Sequence, residues 1–484
     1  MDNACNARRP PTLHSPFTPQ DVEAVIRGAR RVLAEIGVRC ADDALRRRLA
    51  SPRGVRQSGE RLFYDDAAVD GVLGEMRGVT AGEPEEESET KWEPFGFGGP
   101  WSCLLLADAA VGVVRQASAA DAGRMVRLLE GLGAVVGVTP VVPAANVPPA
   151  MRNLAGLKTV LVHSARSRSM TNQPTPAEMP FVREMGAAAG RIPSAFVMVL
   201  ISPLRFEERA LQYYLKYRDE PGMNLSLSGG IMPCTGSTSP MHLPGTLIQA
   251  VAENIALAAC FQALGLPCPG LNLRCDPFDM RFGTYVIGSP EYHLLDMGCR
   301  AIYRAVHGSP RRSGSFRSMA KQPDAQAMAE RSFSVLLQAL QGARQFSNAG
   351  QMSMDEVFSP EQAVLDREIL RNVERIAAGQ VWREEAPGRL AVDEAFDIIR
   401  RGVGAGQYLE QDETLAGYKD FYYSSDLFTY ENAGSWQQRG SLSALARASS
   451  CVAQVLAAAE PCERDDDRAR AIEAVYQVAR KRLK

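Results

Sequence analysis

Residues 224–265, NLSLSGGIMPCTGSTSPMHLPGTLIQAVAENIALAACFQALG, and residues 270–308, GLNLRCDPFDMRFGTYVIGSPEYHLLDMGCRAIYRAVHG, carry one pattern twice. Each begins with a short apolar run, passes through a Gly/Pro-rich loop and opens into a long amphipathic stretch of helical period. A strand feeding a polar loop and then a helix is the unit of a parallel α/β sheet. Such sheets place their chemistry beyond the carboxyl ends of the strands. The loops at 229–241 and 275–285 are therefore the first places to look for a site.

The same alternation extends to both sides. Apolar runs at 134–142 (AVVGVTPVV), 168–172 (RSMTN), 195–201 (AFVMVLI), 223–228 (MNLSLS), 270–275 (GLNLRC), 311–316 (RRSGSF) and 342–348 (GARQFSN) are separated by helical stretches. A further strand is expected near Thr159–Val162. About seven alternations suit either a (β/α)₈ barrel or a doubly wound open sheet, and periodicity does not choose between them.

Before this core, residues 1–19 hold four prolines and two adjacent arginines and are expected to be disordered. Residues 20–121 form an N-terminal extension. It is read as helical from Pro19 to Met76, with the first helix ended by Gly37. The acidic segment 80–94 reads as an exposed loop, and a hairpin follows with its turn near Asp108–Gly112. The core spans 122–358. Residues 359–484 read as helices packing on it, with Ser359-Pro360-Glu361 as a helix start and Gly379 as a stop.

Composition narrows the class. Of 484 residues, 45% are hydrophobic and 23% charged, the balance of an ordinary globular protein. A net charge of −2 disfavours a broad phosphate-binding surface, so no nucleic-acid partner is expected. No apolar stretch is read as reaching the ~18 residues needed to cross a bilayer. The first twenty residues lack the apolar core of a signal peptide. Ten scattered cysteines look like reduced core residues. Together these predict a cytoplasmic, enzyme-sized protein.

The residues exclude several chemistries. The five histidines (His14, His163, His242, His293 and His307) stand at no ligand spacing, Cys-x-x-Cys is absent, and no metal site is expected. GSTSP (236–240) lacks the second glycine of a nucleophile elbow. LSGGIMPCTGST carries no lysine after its glycines, unlike a phosphate loop. Its backbone amides are read either as a donor nest or as a tight turn.

Carboxylates and aromatics are more suggestive. CDPFDMRFGTY (275–285) gathers Asp276, Phe278, Asp279, Arg281, Phe282 and Tyr285, and such a set suits a quaternary ammonium group through cation–π attraction and charge complementarity. Phe316, Tyr422 and Tyr423 are candidate further walls. Ordinary loop packing is the competing reading for each aromatic, and ion pairing for Arg274 and Arg281. Glu253, mid-helix among apolar residues, is either partnered in the core or directed into a site. Glu253 and Asp279 are the candidate catalytic carboxylates.

At these residues the sequence resembles the trimethylamine:corrinoid methyltransferase family. The ordered matches are VLAEIGVRCADDAL, DAAVGVVRQASAAD, GSTSPMHLPGTLIQAVAENIAL, DMRFGTYVIGSPEYHLLDMGCRAIYR, PDAQAMAERSFSVLLQALQGARQFSNAGQM, SPEQAVLDREIL and WQQRGSLSALARA. The resemblance implies a (β/α)₈ TIM barrel with the N-terminal extension and C-terminal helices described above. It implies transfer of a methyl group from a methylated amine to Co(I) of a separate corrinoid protein, so the corrinoid is supplied by a partner and not bound tightly. Gly229, Gly230, Gly236, Ser237 and Thr238 would then form a rim for the corrinoid. Two departures matter. The trimethylamine enzymes carry pyrrolysine just before the PDAQ helix, whereas GSFRSMAKQ (314–322) holds only standard residues. That is similar to the pyrrolysine-free branch of glycine-betaine-type methyltransferases, and implies a quaternary amine substrate. Near Glu413, where relatives commonly carry histidine, this chain has DETLAGYKD. The alternatives are another barrel methyltransferase or lyase, or a protein that binds a methylamine or a corrinoid protein without turnover. Homo-oligomerisation stays open.

Overall fold

Parallel pairing organises the middle of the chain. Strand Ser194–Ile201 runs parallel to Asn224–Gly230, with Phe196 opposite Ser226 and Met198 opposite Ser228, and Ser169 bridges to Ser194 on the other side. Cys234–Thr235 pairs in parallel with Asp276–Asp279. Ser313–Ser315 pairs in parallel with Gln345–Ser347, which pairs with Gly96–Phe97, and Gly98 bridges in parallel to Val135. The computed structural model describes residues 6–9, 13, 15–79, 94–108, 112–383, 392–459 and 466–483. Among them the ladders form five separate sheets in a mixed α/β chain.

The expected alternation is therefore present, with corrections. Residues 134–142 and 270–275 run extended but without a regular ladder. The strand expected near Thr159–Val162 is part of helix Arg152–His163 instead. There Leu154, Leu157, Val160 and Leu161 are buried at helical spacing, which an apolar run this short cannot distinguish from a strand.

The N-terminal extension mixes helix and strand. Helix Pro19–Arg31 starts at a capping box, in which Thr18 and Asp21 bond each other's backbone amide. It continues through one π turn, Val32–Ile36, and stops at Gly37, whose φ of +69° suits glycine. The helical reading fails at Val55–Ser58 and Arg61–Tyr64, which form an antiparallel hairpin. Leu62 and Tyr64 alternate inward, and Gly59 at φ +56° makes the two-residue turn. Asn6–Arg9, expected to be disordered, pairs antiparallel with Gln380–Arg383. The expected hairpin is Leu105–Asp108 against Val113–Arg115. Its turn at 109–111, the acidic segment at 80–93 and most of residues 1–14 lie outside the described residues.

Helix Leu243–Ala263 passes behind the sheet layer. By length and composition it is apolar enough to cross a membrane, contrary to the expectation from the sequence, but 72% of its most apolar window is buried inside the fold. Leu247, Val251 and Ile255 are almost wholly enclosed. Each such side chain contributes roughly 1.5–3 kcal/mol of transfer free energy, so this helix is a core element. Helix Pro360–Ala377 opens the C-terminal part, with the Ser359 hydroxyl accepting from the Gln362 amide. Gly379 stops it at φ +74°.

The second face of the strand layer decides where a site can be. Ala195, Val197 and Val199 are buried while Phe196 and Met198 are each 50% exposed. The same alternation leaves Val135, Gly137 and Asn272 exposed between buried neighbours, and Gln345 and Ser347 exposed on either side of buried Phe346. Within each run, period-two side-chain direction puts the exposed residues on one face.

Candidate functional site

At the carboxyl ends of the strands lies a polar cavity of about 280 Å³, lined by Arg274, Asp276, Arg317, Ser315, Ser347 and Asn348 among others. Asp276 opens strand Asp276–Asp279, directly after the 270–275 run, and is fully buried. Its Oδ1 accepts from Arg317 Nη1 at 3.0 Å, and its Oδ2 accepts from Arg274 Nε at 3.2 Å. Burial alone would raise the Asp276 pKa. Arg274 and Arg317 outweigh it and hold the carboxyl below its usual value. Asn348 follows strand Gln345–Ser347 at φ +70°, a left-handed conformation that asparagine tolerates, and its Nδ2 donates to Ser315 Oγ at 2.8 Å.

Glu253 resolves as a partnered core carboxylate. It accepts from Ser202 Oγ at 2.7 Å, Leu204 N at 2.9 Å and Gln249 Nε2 at 2.9 Å. Ser202 Oγ in turn accepts from Met232 N, so Glu253 ties the loops after two strands to its own helix. Burial raises its pKa against these donors. It lines neither this cavity nor the groove described next.

A second, more apolar groove of about 610 Å³ lies between the first turns of helices Leu243–Ala263 and Pro290–His307. It brings Phe278, Asp279 and Arg281 together with Met241, Glu291 and Leu294. Arg281 clamps Asp279 with both Nε and Nη2, at 3.0 and 2.6 Å, so that carboxylate is already neutralised. Arg281 also lies 5.7 Å from the Phe282 ring, which is 76% exposed and outside the groove. Tyr285 stands edge-on to Phe278 at 6.2 Å without lining the groove. The ion-pair reading of Arg274 and Arg281 is the one the geometry supports.

Other expected contacts fall elsewhere. Phe316 is fully enclosed and packs on Phe97 and Phe346, at 5.9 and 6.0 Å, as core. Tyr422 is 70% exposed and lines neither space, and Tyr423 donates to Glu368 at 2.9 Å. Glu413 pairs with Arg401 on the surface. Gly229 and Gly230 end strand Asn224–Gly230. The amides of Ser237, Thr238 and Ser239 all turn back onto the Cys234 carbonyl, and Gly236 N donates to Ser239 O. The 234–239 loop is therefore a tight turn and not a nest of free donors, because its amides are consumed internally. Among the described residues, no group of three or more His, Cys, Asp and Glu side chains is placed to hold a metal ion.

The residues that sequence reasoning missed are Arg317, Asn348, Phe196, Met198 and Val135. Only Arg317 carried a signal, since it lies in the 314–322 stretch singled out by resemblance. AFVMVLI is apolar throughout, so nothing in it marks which face is open.

Parallel strand pairs and helices, with a polar cavity at the ends of strands Ser313–Ser315 and Gln345–Ser347, define the chain as an α/β protein. The family model for trimethylamine methyltransferase (MTTB) matches residues 2–483, and the chain belongs to that family. It is 30% identical over 262 residues to trimethylamine methyltransferase MttB of Methanosarcina thermophila, covering 53% of this chain and 50% of the relative. It is 31% identical over 260 residues to MttB1 of Methanosarcina mazei, covering 53% and 49%. A glycine betaine methyltransferase of Desulfitobacterium hafniense is 28% identical over 238 residues, covering 49% and 47%. The chain thus aligns with about half the length of the curated relatives it matches.

Proposed function

We propose that this protein is a methyltransferase that moves a methyl group from a quaternary methylated amine to Co(I) of a separate corrinoid protein. We also propose that its strand segments form a (β/α)₈ barrel with an open interior. The observation that carries the reading is the family match along the chain, together with exposed apolar side chains at Val135, Phe196 and Met198 on the strand segments. Exposed apolar and aromatic side chains suit the methyl groups of a quaternary cation.

The chemistry asks little of acids and bases. Cobalt attacks the methyl carbon in line with the C–N bond, that bond breaks, and its electron pair leaves with a neutral amine. The protein's part is to align the bond and keep water from the reacting centre. This fits a site whose carboxylate, Asp276, is engaged by two guanidinium donors. The absence of pyrrolysine from 314–322 supports a quaternary donor, which needs no further activation to leave.

Mixing the protein with a reduced corrinoid protein and a panel of quaternary amines should methylate the corrinoid, read by its absorbance. No methylation across a broad panel would overturn the proposal.

A further inference from the structure

Helix Val392–Ala405 turns its apolar side chains outward. Val392, Phe396, Ile399 and Val403 are each more than half exposed. At about 100° per residue, this spacing sets all four in one stripe along the helix. Gly402 is the buried residue of this helix, covered by the Tyr408 ring. A helix of 14 residues is marginal in water by itself and draws its stability from packing of its apolar face. Here that face meets solvent, whereas the apolar helix Leu243–Ala263 is enclosed.

The charges beside the stripe fit a second copy of the same helix. Asp393 and Arg400 flank the stripe on one side, two turns apart, and the small residues Ala395 and Gly402 flank it on the other. Two copies laid antiparallel about a two-fold axis set Phe396 against Ile399 of the partner subunit, and Val392 against Val403 of the partner subunit. The same axis brings Asp393 beside Arg400 of the partner subunit, and the symmetry repeats the contact, so one flank closes with two opposite-charge pairs. A parallel pair would bring no opposite charges together along this flank. Arg400 already meets Asp397 of its own helix at 2.6 Å. Both side chains are mostly exposed, and such a surface pair contributes little, so the guanidinium can take a second carboxylate.

We propose that helix Val392–Ala405 is a self-association face, through which two copies of this chain join as an antiparallel helix pair. The apolar stripe supplies the burial, and the Asp393 and Arg400 pairs set the direction. The inference does not depend on the substrate of the enzyme.

Sedimentation velocity of the full chain over a concentration series tests this. The wild type should sediment as a dimer or a larger even-numbered assembly. Phe396→Asp changes a side chain that is exposed in the single chain, and should split the assembly at this face. Asp393→Arg and Arg400→Asp each place like charges across the axis, and should weaken association at least about tenfold. The double reversal Asp393→Arg/Arg400→Asp should restore it, and the two single variants mixed together should pair with each other. Circular dichroism checks that each variant keeps its fold, and the double reversal carries the test where a single one does not. A monomer at every concentration overturns the proposal, even if the stripe captures a different protein. So does an assembly that survives Phe396→Asp, or a double reversal that associates no better than the single ones.

Discussion

Arg317 and Asp276 form a buried ion pair at 3.0 Å that spans two strand segments joined by no ladder. Asp276 opens strand Asp276–Asp279 and Arg317 follows strand Ser313–Ser315. Arg311 and Arg300 reinforce the crossing by donating to the Leu273 and Ser313 carbonyls. Side chains thus close a gap that backbone hydrogen bonding leaves open.

Removing one partner should be costly. Asp276→Ala leaves Arg317 buried without its carboxylate, and breaking a buried pair in this way typically costs about 3–5 kcal/mol. Urea denaturation should show the loss as a lower midpoint with an unchanged slope. A loss below ~1 kcal/mol would mean that water reaches the pair.

Arg331 and Asp366 form a second pair, at 2.8 Å, with neither side chain exposed. Asp366 also accepts from the Gly350 amide and from Gln362 Nε2. Asp366→Ala should destabilise by about 3–5 kcal/mol. The double variant Arg331→Met/Asp366→Leu should recover part of that loss, since no charge remains buried. A double variant as unstable as the single one would point to backbone disruption at Gly350.

His307 predicts a stability that falls in mild acid. Its Nε2 accepts from Leu271 N at 3.0 Å, so the proton must sit on Nδ1, 3.2 Å from the Val79 carbonyl. Burial lowers its pKa below the ordinary histidine value, and the Val79 and Met76 carbonyls only partly offset this. The unfolded chain therefore binds the proton more tightly. The contribution is complete above the unfolded value near ~6.5 and is lost as pH falls through the folded one. Partly buried His293 shifts in the same direction. Urea midpoints at pH 7.5 and 5.5 should differ in the wild type and differ less in His307→Asn. An equal difference in both would remove His307 from the effect.

Ligand affinity should separate the open inner face from the outer groove. Phe196→Ala should weaken a quaternary amine by about 0.5–2 kcal/mol, the cation–π range. Phe282→Ala should leave it unchanged, because that ring lies outside the groove with Arg281 beside it. The reverse pattern in a titration would move the ligand to the exposed loop that carries Arg281 and Phe282.

Local signals were well expressed in the chain. Thr18, Ser359 and Gly37 mark helix ends because capping and left-handed φ are decided by neighbours a few residues away. The 195–201 and 223–228 runs are strands because β-branched and apolar residues stand together between turns. Thr159–Val162 went the other way, since a short apolar run carries no period long enough to separate helix from strand. The aromatic and acidic residues of 275–285 drew notice as a cluster in sequence. In space, Arg281 engages Asp279 and Phe282 does not line the groove.

By itself the sequence determined the α/β alternation, the strand-end loops as the place for a site, the ordered family matches and the standard residues at 314–322. These are properties of adjacent residues and of linear order. Only the tertiary structure decided that Glu253 is held by three donors, that Phe316 is core, and that Arg274, Asp276 and Arg317 meet. Whether a charged group is free or satisfied depends on partners tens to hundreds of residues away. Ser202 lies 51 positions from Glu253, and Arg317 lies 41 from Asp276. No local pattern encodes such a pairing, because the desolvation of one carboxylate and the approach of its donors exist only once the segments have packed together.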